Sequence, residues 1–459
     1  MSPDEPQEAP RTPRIIVPGS ETAPPEAAPR IVLPPGSSLE AADDLPEYPR
    51  LRPLVIVPVV DGEREMLLVS DPLGVIPGQP VLGIGALALL QLLDGGTSVN
   101  DITAVVARES KDLRVGGMVR DFVRQLDELL MLDSPRFHEA HRALREAYHP
   151  LEIRPAALEG HAYPAARAEL EAFLDGTFAQ ATALRDAAGQ PAAASDALPR
   201  ALLAPHLDPR RAGATMARAY LELGAEPARP LRVVVLGTGH SMLGDRFALT
   251  RKHFQTPLGK LECDTAFVDT LAEALGDDAY HGELAHRDEH SIEFQALYLQ
   301  RRLGSRPVGI VPILCGGFGE LLDRGVAPRQ DEATERLIAA LRAAEQKHGG
   351  ATLYVAGVDL SHVGPRFGDP RPDERTRAEV EVKDRAALDA AARGDADGWF
   401  AAIAGHDDST RICGLAPTYV LLRVVGGEAD GPGPGRLLRY QQSDEPDGSM
   451  VSAAAMVWP

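Results

Sequence analysis

Cysteine is scarce in this chain. Three in 459 residues, at positions 263, 315 and 413, are too few and too far apart for a disulfide framework. Together with the lack of a charged-then-apolar signal segment, this sets a reducing cytoplasm as the expected compartment. Aromatic residues are also few, at 5% with two Trp, which argues against a base-stacking platform. No stretch reaches the roughly 18 uncharged apolar residues that a membrane span needs, so no membrane partner is expected. Basic residues are outnumbered, 47 Lys and Arg against 67 Asp and Glu, and the net charge of -20 repels phosphate backbones. Nucleic acid is therefore excluded as a general partner. Nor is there a phosphate loop: GTGHSMLG (237–244) lacks the Lys-Ser/Thr ending.

What is present is a globular composition, 44% hydrophobic and 25% charged, in a chain long enough for two or three domains. Residues 1–50 hold twelve prolines among Ala, Glu and Ser and read as a disordered tail. Within it PRIIVPGSE (13–21) recurs as PRIVLPPGSS (29–38). This duplicated aliphatic motif is either drift in a Pro-rich linker or a strand that adds to a sheet edge, in this protein or a partner.

Over 51–136 the pattern becomes VIVPVV, a turn at DGER, then MLLVSD, a predicted β-hairpin. Three amphipathic segments follow. Ser98 with Asp101 fits a variant of the capping box, and Val119, Phe122, Val123, Leu126, Leu129 and Leu130 recur at helical spacing. A hairpin with three short helices predicts a winged-helix-like domain. Residues 137–150 read as a charged connector helix.

From 151 to 459, aliphatic runs alternate with helical patterns, which predicts an α/β layered domain ending in a hairpin. In open α/β sheets, ligands bind beyond the carboxyl ends of strands. Three such runs end in histidine: ALLAPH places His206, VVVLGTGH places His240, and LYVAGVDLSH places Asp359 and His362. Cys413 precedes Gly414 and the run LAPTYVLL, so it falls near a helix N-terminus, where free amides and the dipole favour a thiolate. Pro417 suits a first helical turn.

Cys413 has three readings: metal ligand, nucleophile or packed hydrophobe. As a ligand with His206 and His240 it would form an open site suited to iron or copper, with zinc as a further candidate. Asp359 and His362 would then be outer partners or acid/base groups. As a nucleophile it would make the chain a cysteine hydrolase or transferase, with His240 or His362 as base. A third possibility is a non-catalytic adaptor that binds peptides through its N-terminal module. In HRDEHSIEF, Asp288 and Glu289 are expected merely to complement a helix dipole, whereas His290 is a candidate catalytic residue. His253, His281 and His286 are assigned to surface loops.

The ordered set RPAALEGHAYP (154–164), LLAPHLD, VVVLGTGH, TPLGKLECD (256–264), DEHSIEFQALYLQ, VPILCGG, DLSHVG and ICG resembles the Memo family, called AmmeMemoRadiSam system protein B in many prokaryotes. That resemblance implies an α-β-α fold similar to class III extradiol dioxygenases, metal ligands at His206, His240 and Cys413, and further site residues at Asp359, His362 and His290. It also implies a peptide or protein partner, a radical-SAM system component among the candidates. Cys413 replaces the dioxygenase carboxylate, so ring cleavage does not carry over. The sequence departs from the family at Leu207, Asp208 and Pro209, where Ala-Gly-Tyr is usual, and at Thr238 and Gly239, where Pro-Ser is usual. Asp208 is expected to pair with Arg210 or Arg211. ALLQLLDGGTSVNDI (88–102) resembles the small PqqD-like domains that hold peptides by strand addition, which would make the tail repeats candidate ligands.

Overall fold

The computed structural model describes residues 45–61, 64–194, 196–224, 231–242, 244–304, 306–426 and 434–459. The duplicated motifs at 13–21 and 29–38 lie outside these. The chain divides into two compact units, 1–147 and 148–459.

In the first unit, β1 (Val55–Asp61), β2 (Arg64–Ser70) and β3 (Val81–Gly83) form an antiparallel sheet in the order β1-β2-β3. The β1/β2 register pairs Val55 with Ser70 and Asp61 with Arg64, as the hairpin pattern predicts. Three helices follow, Ala86–Leu90, Val99–Ser110 and Gly116–Glu128. Ser98 caps the second, accepting from the Asp101 N–H at 3.1 Å, and its hydroxyl donates to the Asp101 carboxylate at 2.6 Å. Val119, Phe122, Val123 and Leu126 face the core with Leu67, Val69 and Ile102. Leu129 and Leu130 continue the apolar spacing but not the helix. Leu130 turns to φ 58°, and its carbonyl accepts from Arg52 Nε at 2.6 Å. The helix Pro135–Tyr148 carries the chain into the second unit.

The second unit contains β4 (Ile153–Arg154), β5 (Ala201–Ala204), β6 (Leu231–Thr238), β7 (Phe247–Leu249), β8 (His253–Thr256), β9 (Gly259–Cys263), β10 (Val308–Cys315), β11 (Ala351–Gly357), β12 (His362–Val363), β13 (Arg436–Asp444) and β14 (Met450–Trp458). They form one mixed sheet in the order β12-β14-β5-β11-β6-β10-β9-β8-β4, with β13 on β14 and β7 on β10. Its centre, β5-β11-β6-β10, is parallel. These strands are near-continuous Val, Leu and Ala runs because both faces are covered.

Alternate residues enter two separate cores. Val234, Leu236, Tyr354 and Ile313 pack with the helices Thr265–Leu275, Glu332–His348, Glu374–Ala392 and Leu415–Val425. Val233, Val235, Val355 and Leu314 pack with Arg167–Ala187, Pro209–Tyr220 and His290–Leu303. The predicted α/β domain is thus helix, sheet, helix. Cys263 and Cys315 are buried as small hydrophobes in the first core.

The parallel centre brings the carboxyl ends of β5, β6 and β11 side by side. Close approach above them depends on glycine. A Cβ on Gly237 would meet Ser291 Oγ at 2.5 Å and Ile292 Cγ1 at 2.7 Å, so only glycine lets the start of His290–Leu303 settle on β6.

Candidate metal centre

His206, two residues past β5, is 2% exposed. Its Nδ1 lies 2.8 Å from the Gly357 carbonyl at the end of β11. A carbonyl only accepts, so Nδ1 carries the proton and Nε2 keeps its lone pair. That Nε2 is 3.4 Å from Cys413 Sγ and 3.6 Å from Asp359 Oδ2.

His240, two residues past β6, is oriented by Glu289. The carboxylate lies 3.0 and 3.1 Å from His240 Nδ1 and accepts from the His240 backbone N–H at 3.0 Å. This commits Nδ1 as donor and leaves Nε2 for the Cys413 side.

Cys413 is placed by a backbone contact. Gly414 donates to Asp359 O at 3.1 Å, and a Cβ there would meet that oxygen at 2.7 Å. The Thr238 hydroxyl donates to Cys413 O at 3.2 Å, and the Ser291 hydroxyl donates to Thr238 O at 3.0 Å. The β6 end, the helix His290–Leu303 and the Cys413 turn are therefore tied together.

The ligand atoms of His206, His240 and Cys413 all lie within 4.8 Å of one another. Metal bonds of about 2.0–2.3 Å place tetrahedral ligand atoms roughly 3.5 Å apart, and the 3.4 Å separation of Cys413 Sγ from His206 Nε2 matches. Two imidazole Nε2 atoms turned inward and one thiol fit a borderline-soft transition metal, which would displace their protons.

His290, the first residue of its helix, stacks on His240 with ring centroids 4.7 Å apart and stands edge-on to His206 at 4.9 Å. Its Nδ1 is 3.2 Å from Glu289 Oε1. His240, Glu289 and His290 also bring ligand atoms within 4.8 Å. However, Glu289 already caps the helix through Ser291 N–H at 2.9 Å and holds His240, so we read it as a support for the first cluster. The His240 and His290 side chains are 39% and 34% exposed, against 3% for Asp359 and Glu289. The cluster thus has a closed floor and an open mouth.

Asp359 accepts from the N–H groups of His206 at 3.1 Å and Leu207 at 3.2 Å. His362 does not join the ligand group. On β12, its Nδ1 lies 2.9 Å from Leu360 O and 3.0 Å from Arg411 O, with its ring against Phe367 at 5.2 Å.

Burial dominates the electrostatics. It pushes the Cys413 thiol up, with His240 opposing, against the pull of the helix start towards a thiolate. Burial acts first and the Asp359 carboxylate adds to it, while the Asp359 backbone contact, 3.5 Å from Sγ, works the other way. Burial raises Asp359 to about 7 and lowers His290 and His362 to about 4. At His240 desolvation disfavours the charge, but Glu289 reverses it and holds the group well above the usual imidazole range.

Three other sequence assignments change. His286 is 1% exposed, not a surface residue, and its Nε2 contacts Ala248 O at 3.0 Å. His253 lies in β8, where Nδ1 accepts from the Cys263 N–H at 2.9 Å. Glu289 is far more than a dipole complement; its place directly before His290 was the available signal. His281 is exposed beside Asp245, as expected. Asp208 caps the helix Pro209–Tyr220 and stands 3.7 Å from Arg210.

Fold and cluster together define an α/β protein with a candidate metal centre at the carboxyl edge of its sheet. A family profile described as Memo-like protein matches residues 154–457, and the chain belongs to the Memo family. It is 27% identical over 403 residues to a MEMO1 family protein of Aquifex aeolicus, covering 86% of this chain and 96% of that protein. It is 33% identical over 273 residues to one of Thermus thermophilus, 59% and 73% covered. A third, of Methanopyrus kandleri, is 30% identical over 263 residues, 56% and 82% covered. The Aquifex match extends over more of the chain than the family segment does.

Proposed function

We propose that this Memo family protein binds one iron or copper ion, with zinc as the weaker fit, through His206, His240 and Cys413, and uses it in redox or oxygenase-like chemistry. The observation that supports this is the convergence of three ligand atoms within 4.8 Å while both imidazoles have Nδ1 committed elsewhere. The ion would supply Lewis-acid or electron-transfer capacity. Asp359 and His290, beside the ligands, are the proposed proton-handling groups, with His362 a more distant one. The layered sheet is read as similar to class III extradiol dioxygenases on the family resemblance.

Anaerobic purification and elemental analysis test the reading. The expected result is close to one metal per chain, lost in Cys413→Ser. A metal-free wild type, or unchanged metal in that variant, would sink it. The raised thiol weighs against a cysteine hydrolase or transferase.

The first unit is read as a PqqD-like winged-helix module that recruits a peptide or protein in the cytoplasm, a radical-SAM system component among the candidates. Support for this is the three-stranded sheet with β1 and β3 as its outer strands, a form that accepts strand addition. Among the described residues, no helix is long and apolar enough to cross a membrane. Failure of the intact protein to bind a PRIIVPG peptide or a genomic neighbour's leader peptide would remove the recruitment role. Binding of such a peptide with no metal at the centre would favour the adaptor reading.

A further inference from the structure

Arg154, in the outermost strand β4, and Glu293, in the first turn of His290–Leu303, form an ion pair with no solvent exposure on either side chain. Replacing a buried pair of this kind with apolar side chains of equal volume is often neutral or stabilising. Its presence here calls for a reason other than stability. The reason lies in what the guanidinium does with its remaining donors.

Arg154 Nε donates to His286 O at 2.7 Å, Nη2 donates to Glu289 O at 2.8 Å, and Nη1 donates to Pro155 O at 3.1 Å as well as to Glu293. The group lies over the Phe254 ring, 5.0 Å from its centroid. Glu293 in turn accepts from the N–H groups of Ala157 at 2.9 Å and Leu158 at 3.0 Å and from the Tyr163 hydroxyl. The two carbonyls gripped by the planar fork, those of His286 and Glu289, bracket the turn between the 3-10 segment Glu283–His286 and the helix His290–Leu303. Glu289 needs no arginine for capping, because its own carboxylate accepts from Ser291 N–H. Arg154 instead sets where the Glu289 backbone sits, and so where its carboxylate meets His240.

We propose that Arg154 is a positioning residue for the metal centre. Held by Glu293, it fixes the Glu289 main chain so that the carboxylate keeps His240 Nδ1–H as donor and His240 Nε2 turned towards Cys413. The strut runs from β4 through the turn at 286–289 to a ligand that Arg154 does not touch. This inference rests on the metal-binding reading above for its affinity readout alone.

The test compares Arg154→Lys, which keeps the charge but loses the fork, with Arg218→Lys. Arg218 is a second buried arginine whose partners, Glu222 and Gln190, include no ligand. Two measurements are made on the full chain: the hydrogen-bonded His240 Nδ1–H in metal-free protein by NMR of 15N-labelled histidine, and Co2+ affinity by chelator competition.

Arg154→Lys is expected to lose the hydrogen-bonded Nδ1–H signal and to bind Co2+ about 10–100-fold more weakly, the usual effect of an outer-shell change. Arg218→Lys should leave both intact at a similar loss of melting temperature. An unchanged Nδ1–H signal in Arg154→Lys, or equal effects in the two variants, overturns the proposal. If wild type takes up no Co2+, the metal reading fails while the Nδ1–H signal still decides the strut. Should Arg154→Lys not fold, Tyr163→Phe, which removes one bond to Glu293, is expected to shift the Nδ1–H signal in the same direction. No shift there overturns the proposal as well.

Discussion

Glu289 grips His240 twice, accepting from its backbone N–H at 3.0 Å and from its ring Nδ1 at 3.0 Å. One carboxylate thus sets both the main chain and the ring orientation of a candidate ligand, while its helix-capping bond to Ser291 fixes the carboxylate itself. Glu289→Gln should keep the fold but weaken metal binding about 10–100-fold, read by chelator competition. An affinity within twofold of wild type would remove Glu289 from the centre.

Metal uptake should release protons. Burial keeps the Cys413 thiol protonated and Glu289 keeps His240 charged, and both protons leave when a metal binds. Affinity should therefore rise with pH, by about tenfold per unit for each proton released. In Cys413→Ser, whose residual affinity is low, the slope should fall by one proton. Alkylation of Cys413 should be slowed by bound metal, which peptide mapping would reveal.

His286 should contribute to acid sensitivity. Burial lowers its folded pKa to about 4 from 6.5, so above the unfolded value both states are neutral and its contribution to stability is complete. As pH falls from 6.5 to about 4 the unfolded chain takes up a proton that the folded chain refuses, and stability declines by roughly 3 kcal/mol at about 1.4 kcal/mol per unit. Denaturant titrations of His286→Gln across this window should show that part of the slope missing. A wild-type slope in the variant would assign the acid sensitivity to other groups.

Removing one partner of the Arg154–Glu293 pair strands a charge. Glu293→Ala should cost about 3–5 kcal/mol, measured by chemical denaturation. A cost below about 1 kcal/mol would mean that water reaches the guanidinium.

Gly414→Ala would push a methyl group to 2.7 Å from Asp359 O and 2.9 Å from Val358 Cβ. Overpacking of this kind costs about 1–3 kcal/mol, and relief by moving the turn displaces Cys413. Loss of metal binding together with a lower melting temperature is the expected pair of results; full retention of both would show that the turn has room.

Periodicity and punctuation along the sequence determined most of the local structure. The strand runs before His206, His240 and Asp359, the cap at Ser98, the helix after Glu289 and the closing hairpin each follow from residues near one another in the chain. Chain order also determined which end of the sheet would carry polar groups, since parallel strands place their exits together. Other features depended on contacts between distant segments. The proton on His206 Nδ1 is set by a carbonyl 151 residues away, the role of Glu289 by a histidine 49 residues away, and the ring contact of buried His286 by the Ala248 carbonyl. Cys413 near a helix start promised a thiolate; packed beside Asp359 at the floor of an open cluster, its thiol is pushed up instead. Local pattern reads the backbone well because hydrogen-bond geometry is local. Protonation, tautomer and ligand convergence depend on what tertiary packing brings within a few ångströms.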